Sequence, residues 1–442
     1  MPNLRESLLL NVVLPIAEKL NGTKASYWYQ QIKKMNRWNK EEIELWQNKR
    51  LQSLVQHAYN HTVYYKNLFD SLGIKPEEIQ CAADLRKLPV MTKEIANKHH
   101  DELIPDNIRS IKHRKGKTGG TTGEPMLYFC DENTWGYVTA AKMYAWKTAG
   151  YRYGDPFVAL GSASLFAQKP SLKRQIYDKI RNEHPLNSVN LTDELCQKYI
   201  AYIKDKKIKF VYGYAASIYM LSRYILSHQI RLTQIKAVFT TSEMLTDDYR
   251  ASIEKAFNCR LMDCYGARDA GMNAYEISRH NYHVGYNVIA ETEESDIEKS
   301  GVVLSTNLLN YSFPLIRYRY GDEVELDQSV SETEYNGQVI RRVIGRTSDI
   351  MHLANGRNLS ATGFSMMMKE FDVVAFDFKK VGDCEVLLRV QPIPGKYNQE
   401  QESKIIETIT NYIGKDCKLN LEHVDHFEPL KNGKRRYFYN EK

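Results

Sequence analysis

Apolar positions change period several times along this chain, and the changes mark its elements. Leu51, Leu54, Val55, Ala58 and Tyr59 recur at the spacing of one helical face. Just upstream, Asn39 followed by Glu42 has the form of a capping box, which predicts a helix opening at that point. Pro89-Val90-Met91-Thr92-Lys93 marks a junction, with Thr92 placed to cap a short helix. Helical patterns at 193–205 and 215–228 then alternate with strand-like runs at 208–212, 236–241 and 259–264. That alternation predicts a mixed α/β unit. Val302-Val303-Leu304-Ser305-Thr306 and Leu315-Ile316-Arg317-Tyr318-Arg319-Tyr320 read as further strands, the second closing in a Gly321-Asp322 turn.

A boundary is predicted near Gly345-Arg346-Thr347-Ser348-Asp349. Beyond it lie strand-like runs at 372–378, 384–390 and 418–424 and a helix opening near Asn398. Ile405, Ile406, Ile409, Tyr412 and Ile413 give that helix one apolar packing face. The pattern therefore divides the chain into a large α/β unit, residues 1–344, and a small α+β unit, residues 345–442. At the other end, Leu8-Leu9-Leu10-Asn11-Val12-Val13-Leu14-Pro15-Ile16-Ala17 is apolar but short and interrupted. A spanning helix needs about 20 apolar residues. A packed or interfacial N-terminal helix is expected, without a transmembrane segment, in a cytoplasmic protein.

One stretch fits neither period. Lys117-Thr118-Gly119-Gly120-Thr121-Thr122-Gly123-Glu124-Pro125 is followed by the strand-like Met126-Leu127-Tyr128-Phe129. Glycines let a backbone turn tightly and let a ligand approach closely. Successive N–H groups, helped by threonine hydroxyls, form a concave cradle for phosphate oxygens, and Lys117 adds charge. A strand–loop–helix order would aim those N–H groups at a ligand. A Walker loop is excluded by spacing, because the glycine it needs five residues before Gly116 is Ile111. Taken alone, the stretch reads equally as a surface turn.

Composition narrows the classes modestly. With 61 basic against 54 acidic residues among 442, the charge of +7 is mild and spread along the chain. It does not have the clustered basic residues that nucleic-acid binding calls for. Thirty tyrosines point to pockets and half-buried surfaces. Seven scattered cysteines, an odd number without framework spacing, fit a reducing compartment.

Taken in order, these stretches resemble the adenylate-forming (AMP-forming) ligase superfamily. The likeness is to its phenylacetate–CoA-ligase-like branch, including the capsule- and polysaccharide-biosynthesis (CapK-like) relatives. The matching pieces are Gln56-His57-Ala58-Tyr59, Val63-Tyr64-Tyr65, Leu88 to Lys93, Lys117 to Pro125, Tyr212-Gly213-Tyr214, Thr241-Ser242-Glu243 and Asp263-Cys264-Tyr265-Gly266. Pro314 to Asp322, Gly345-Arg346 and Gly433-Lys434 complete the series. Each piece is weak alone, and their order is the signal. The resemblance implies a large multi-sheet adenylation unit followed by a small mobile α+β lid. It also implies activation of a carboxylic acid by ATP as an acyl-adenylate, release of pyrophosphate, and transfer to coenzyme A or to another thiol, amine or hydroxyl acceptor.

The resemblance also implies roles. Lys117, Thr118, Gly119, Gly120, Thr121, Thr122 and Gly123 would cradle the β- and γ-phosphates, and Ser242 and Glu243 would lie with the nucleotide. Tyr265 would lie against adenine, with Gly266 allowing close approach. Asp322 would accept from the ribose hydroxyls. Arg346 would meet the ribose or α-phosphate. Lys434 would swing onto the α-phosphate, and Tyr212, Gly213 and Tyr214 would line the acid pocket. Ser348 and Asp349 lie where the lid would hinge.

Two positions depart from the pattern. The family's Tyr-Gly-x-Thr/Ser-Glu is here Tyr265-Gly266-Ala267-Arg268-Asp269. Asp269, the Mg2+-associated carboxylate by this likeness, is one methylene short. Arg268 beside it would either neutralise that carboxylate or hold an anionic part of a substrate. Cys259, Cys264, His280 and His283 lie where some relatives carry zinc, although their spacing fits no strong zinc template. An enzyme acting as a monomer or homodimer is expected. The alternatives are an adenylating enzyme of capsule or secondary-metabolite synthesis and a catalytically inactive ATP-binding partner.

Overall fold

The computed structural model of the protein describes residues 4–21, 23–118, 126–161, 172–188, 191, 193–294, 300–327, 335–346, 350–355, 357–360, 364, 368, 371–427 and 438–439. The strands of the larger part begin with β1 (Met91–Thr92) and the hairpin β2 (His113–Lys117) and β3 (Leu127–Asp131). Then come β4 (Phe157–Gly161), β5 (Glu183–Asn187), β6 (Phe210–Tyr214), β7 (Ala237–Thr241) and β8 (Arg260–Ala267). They are followed by β9 (Met272–Ser278), β10 (Asn281–Val284), β11 (Val288–Glu294), β12 (Gly301–Asn307), β13 (Tyr318–Asp327) and β14 (Val339–Arg346).

All but the β2–β3 hairpin join one mixed sheet. Its parallel half runs β5-β4-β6-β7-β8. It continues antiparallel through β9, β10, β14, β13, β12 and β11, and β1 pairs in parallel with β13. The central parallel strands β4, β6 and β7 read as largely apolar runs because both their faces are covered. Val158, Leu160, Val211 and Val238 pack under the helices Asp193–Asp205, Ala215–Ser227 and Asp247–Phe257. The alternate residues Phe157, Phe210 and Phe239 meet helices Ala25–Met35 and Glu132–Thr148 on the other face, where Trp146 stacks on Phe239 at 4.3 Å.

Local signals hold where they depend on near neighbours. Asn39 and Glu42 form the reciprocal cap of helix Lys40–His61, and Thr92 caps Lys93–Lys98. At the N-terminus, Leu4–Leu8 and Leu14–Asn21 flank a π-helical turn, Leu9–Val13. Leu14 is buried there, while Leu8, Val12 and Ile16 face outward. Among the described residues no helix is long and apolar enough to cross a membrane.

Three expectations are corrected. Gly321-Asp322 is not a turn: β13 starts at Tyr318 and runs through both residues to Asp327. Gly321 has φ +87° there and lies beside a register shift against β12, so the glycine accommodates an irregular strand rather than ending it. The loop after Lys117 joins two strands of a hairpin, with Lys117 opposite Leu127, so no helix follows it directly. The cysteines are not all unpaired either. Cys384 and Cys417 form a disulfide, while Cys81, Cys130, Cys196, Cys259 and Cys264 are free.

That pairing follows from the C-terminal sheet. β15 (Ile350–His352) and β16 (Asn358–Ser360) form a hairpin. β17 (Val373–Gly382), β18 (Glu385–Pro392), β19 (Lys418–His423) and β20 (Phe438–Tyr439) form a sheet in the order β19-β18-β17-β20. Parallel pairing sets Glu385 opposite Lys418, which brings together the cysteine preceding each. Helix Gln399–Ile413 covers this sheet with Ile405, Ile409 and Ile413, all fully buried. Ile406, expected on the same face, is 41% exposed, because one residue turns a helix by about 100°.

Candidate active site

β6, β7 and β8 run in parallel with Tyr214, Thr241 and Cys264 in register, and the proposed residues between Tyr212 and Asp269 sit at or just past these carboxyl ends. Ligands of open α/β sheets bind beyond this end. A cavity of about 290 Å³ lined by Arg152, Asp155, Lys209 and Lys236 lies at the opposite, amino ends of β4, β6 and β7. It is remote from Tyr265, Asp322 and Asp269.

The centre of the site is a contact between β8 and β13. Tyr265 donates from its hydroxyl to Asp322 Oδ2 at 3.0 Å and lies 3.2 Å from the hydroxyl of Tyr320. Since the Tyr265 proton points to the carboxylate, Tyr320 donates to Tyr265. Burial raises both phenols well above their ordinary pKa, and the Asp322 carboxylate adds to it. Both stay protonated donors. Across β13 and β14, Asp322 is paired in register with Arg346. The fold thus brings three of the residues assigned to the nucleotide into one row; the side chain of Arg346 lies outside the described residues.

A second contact joins this row to the foot of the glycine/threonine loop. Tyr318 donates to Asp269 Oδ2 at 3.0 Å, and its hydroxyl lies 3.9 Å from the Met126 sulfur. Burial first, and then Asp269, pushes the Tyr318 phenol far above its usual range. Met126 and Thr118 close the hairpin: Thr118 N–H donates to the Met126 carbonyl at 2.9 Å, and Met126 N–H donates to Thr118 Oγ1 at 2.8 Å. The loop base and Asp269 are therefore held by one tyrosine. Lys117 ends β2, exposed. Gly119, Gly120, Thr121, Thr122 and Gly123 lie outside the described residues, and so do the hinge residues Ser348 and Asp349 and the closing Lys434.

Arg268 is exposed, with its guanidinium 5.9 Å from the ring centroid of Trp135. Among the described residues it forms no ion pair with Asp269 or with any other carboxylate. Of its two expected roles, neutralising Asp269 is not the one this geometry shows.

Several motif residues have structural reasons of their own. A Cβ on Gly213 would meet the Leu160 carbonyl at 2.2 Å, and one on Gly266 would meet the Met272 carbonyl at 2.7 Å. In both cases the close approach is made by the chain itself. Tyr212 packs edge-on to Trp146 at 5.0 Å, under the Lys142 ammonium at 5.2 Å. Tyr214 is the N-cap of helix Ala215–Ser227. Ser242 takes a left-handed φ of 66° just beyond β7, exposed beside Glu243. Asp263 is buried, accepting from Thr240 at 2.6 Å and Tyr282 at 2.9 Å.

Cys264 and His283 pair with Tyr275 from opposite sides, so they stand two strands apart, about 10 Å. His283 stacks on Tyr335 at 4.0 Å, and burial lowers its pKa to about 4, with Arg341 adding to it. Burial pushes the Cys259 thiol up to about 12. Among the described residues no group of three His, Cys, Asp or Glu could hold a metal ion.

Tyr318, Tyr320 and Trp135 were given no role by the sequence motifs. For the first two a signal existed: Tyr318, Tyr320 and Asp322 alternate, the spacing of one strand face. Trp135 had none, because it reaches the site from another element.

No protein-family model matches the chain. Protein CapK of Staphylococcus aureus is 24% identical over 99% of this chain and 97% of its own length. Phenylacetate-coenzyme A ligase of Aromatoleum evansii is 23% identical over 87% of this chain and 91% of its own. Among solved structures, 2-hydroxyisobutyryl-CoA ligase in the postadenylation state, in complex with 2-HIB-AMP, aligns with a TM-score of 0.66. Identity in that alignment is 15%, over 90% of this chain and 89% of that one. The alignment shows the fold, a large α/β unit with a small C-terminal one. The resemblance to adenylate-forming ligases read from the ordered motifs is borne out.

Proposed function

We propose that this chain is an AMP-forming ligase, which activates an organic acid with ATP as an acyl-adenylate and passes the acyl group to coenzyme A. The observation that carries this reading is the continuous row Tyr320–Tyr265–Asp322, tied through Tyr318 to Asp269 and the base of the phosphate loop. In this reading it offers a nucleoside end and a phosphate end, carried by β8, β13 and the turn after β8. The curated ligase relative and the fold support it.

In this reading Asp322 accepts from the ribose hydroxyls, and Tyr265 presents its ring to the base while its hydroxyl orients that carboxylate. Thr118 and the loop after it receive the phosphates. A carboxylate attacking a phosphate meets charge repulsion, so the site must neutralise and align before the bond can form. Mg2+ bound here would supply part of that neutralisation. Asp269 fits it, since such sites use one or two carboxylates with the substrate's own phosphates. Tyr318 fixes the carboxylate that would do so. Arg346, opposite Asp322, serves the α-phosphate or ribose, and Lys434 completes the charge balance from the small unit. Residues 345–442 act as the moving lid. ATP use fits a cytoplasmic location.

A second acceptor class is implied by the resemblance to capsule- and polysaccharide-biosynthesis relatives read from the sequence motifs. That resemblance implies an amine or hydroxyl acceptor in place of the thiol. ATP–pyrophosphate exchange with labelled pyrophosphate, against aryl, fatty, amino and uronic acids, tests adenylation for either acceptor. Acid-dependent exchange is the expected result. A protein that binds ATP but exchanges with no acid in the panel would overturn the ligase reading.

A further inference from the structure

Trp135 stands in the first turn of helix Glu132–Thr148, half-buried against the core formed by Met126, Tyr128 and Met272. Two guanidinium groups lie over it. Arg268 comes from the turn after β8 at 5.9 Å, and Arg114 from β2 at 5.5 Å. Stacking on an indole holds a long side chain in place without using its N–H donors. The two arginines belong to segments more than 150 residues apart, and only the docking of the hairpin onto the β8–β9 turn brings them together.

The placement is specific. Arg114 and Gly116 share one face of β2, and that face continues toward the loop base, where Thr118 and Met126 close the hairpin. Buried Tyr128 fills the space over Gly116. Burial, with the Asp131 carboxylate adding to it, raises the nearby Cys130 thiol to about 12, while both guanidiniums act to lower it, so both charges are felt at this thiol. Both guanidiniums lie within 5.9 Å of one ring centroid, so these like charges repel each other, and Arg268 has no ion pair among the described residues to offset that repulsion. A bound anion would relieve it, and a planar fork of donors suits phosphate oxygens in particular.

We propose that Arg268 and Arg114, held by Trp135, form a two-armed clamp for a diphosphate group at the mouth of the site. The proposal rests on the ligase reading for its two sources of diphosphate: the pyrophosphate leaving ATP, or the diphosphate carried by the acyl acceptor, as in coenzyme A. Arg268 replaces the family's hydroxyl residue at this position, so the clamp is a feature of this chain rather than of the motif.

The test is calorimetric titration of the full-length chain with inorganic pyrophosphate, with coenzyme A and with AMP, comparing wild type with Arg268→Gln, Arg268→Lys and Trp135→Leu. Arg268→Gln should weaken binding roughly 10- to 100-fold, the scale of a lost hydrogen bond to a charged group. Arg268→Lys should fall between, and AMP should bind all four proteins alike. A loss confined to pyrophosphate assigns the clamp to the leaving group, and a loss confined to coenzyme A assigns it to the acceptor. Unchanged affinity for both ligands in Arg268→Gln overturns the proposal. Acid-dependent exchange by the wild type is scored separately: its absence counts against the ligase reading, while the pyrophosphate titration still decides the clamp.

Discussion

Tyr318 and Asp269 are 49 residues apart in sequence, and a 3.0 Å hydrogen bond joins them. Through this bond the strand that carries Asp322 also sets the carboxylate proposed for Mg2+. Tyr318→Phe should leave the fold in place, at a cost on the order of 1 kcal/mol for one hydrogen bond. Asp269 would lose its fixed orientation. A several-fold higher Mg2+ requirement in ATP–pyrophosphate exchange is expected, and a superimposable Mg2+ titration would show that Tyr318 does not position this carboxylate.

Asp322→Ala should weaken ATP binding by roughly tenfold or more, since it removes a charged acceptor from the nucleoside end. It also strands the Tyr265 hydroxyl. Calorimetry with ATP measures the loss. An unchanged affinity would move the ribose elsewhere.

Gly116→Ala probes the foot of the loop. The added Cβ would stand 2.3 Å from Cζ of Tyr128, a buried ring that cannot swing outward. Overpacking of this kind costs about 1–3 kcal/mol. A lower denaturation midpoint together with weakened pyrophosphate binding is expected. Wild-type stability in the variant would mean that the ring yields freely.

His283 gives a pH dependence with a definite sign. Its folded pKa is lowered from the usual 6.5 to about 4, so the unfolded chain binds the extra proton first as pH falls. The stability due to keeping this imidazole neutral is full above about pH 6.5 and is lost as pH falls toward 4, on the order of 3 kcal/mol in all. His283→Phe keeps a ring against Tyr335 and removes the titration. Its stability should fall less steeply than that of wild type between pH 6.5 and 4 in urea unfolding, and parallel curves would refute the assignment.

Lys434→Ala should nearly abolish adenylate formation while leaving ATP affinity largely intact, as the place of Lys434 in the closing Gly433-Lys434 motif implies. Single-turnover adenylation read beside ATP calorimetry separates the two effects. An unaltered adenylation rate removes this lysine from the chemistry.

What the sequence determined by itself was whatever depends on neighbours along the chain. The Asn39–Glu42 cap, the Thr92 cap, the helices at 193–205 and 215–228 and the strands at 208–212, 236–241 and 259–264 were legible because propensity, capping and period act within a few residues, whereas β4 and β5 were not read from the sequence. The order of the short motifs was legible too. It pointed to one family, whose fold the molecule has.

Only the tertiary structure decided which side chains meet. It took Tyr65 receiving the Ile316 N–H, and Met91 N–H donating to the Arg317 carbonyl, to show that the early motifs scaffold the entry to β13. Gly321 read as a turn because a positive φ is usual there, but pairing with β12 and β14 on both sides carried the strand through it. Cys384 and Cys417 looked scattered until parallel register set them abreast. The sequence left Arg268 either to neutralise its neighbour Asp269 or to hold an anionic part of a substrate. The fold instead turns the carboxylate to Tyr318 and the guanidinium to Trp135, since adjacent residues in a turn point apart and each finds its partner across space.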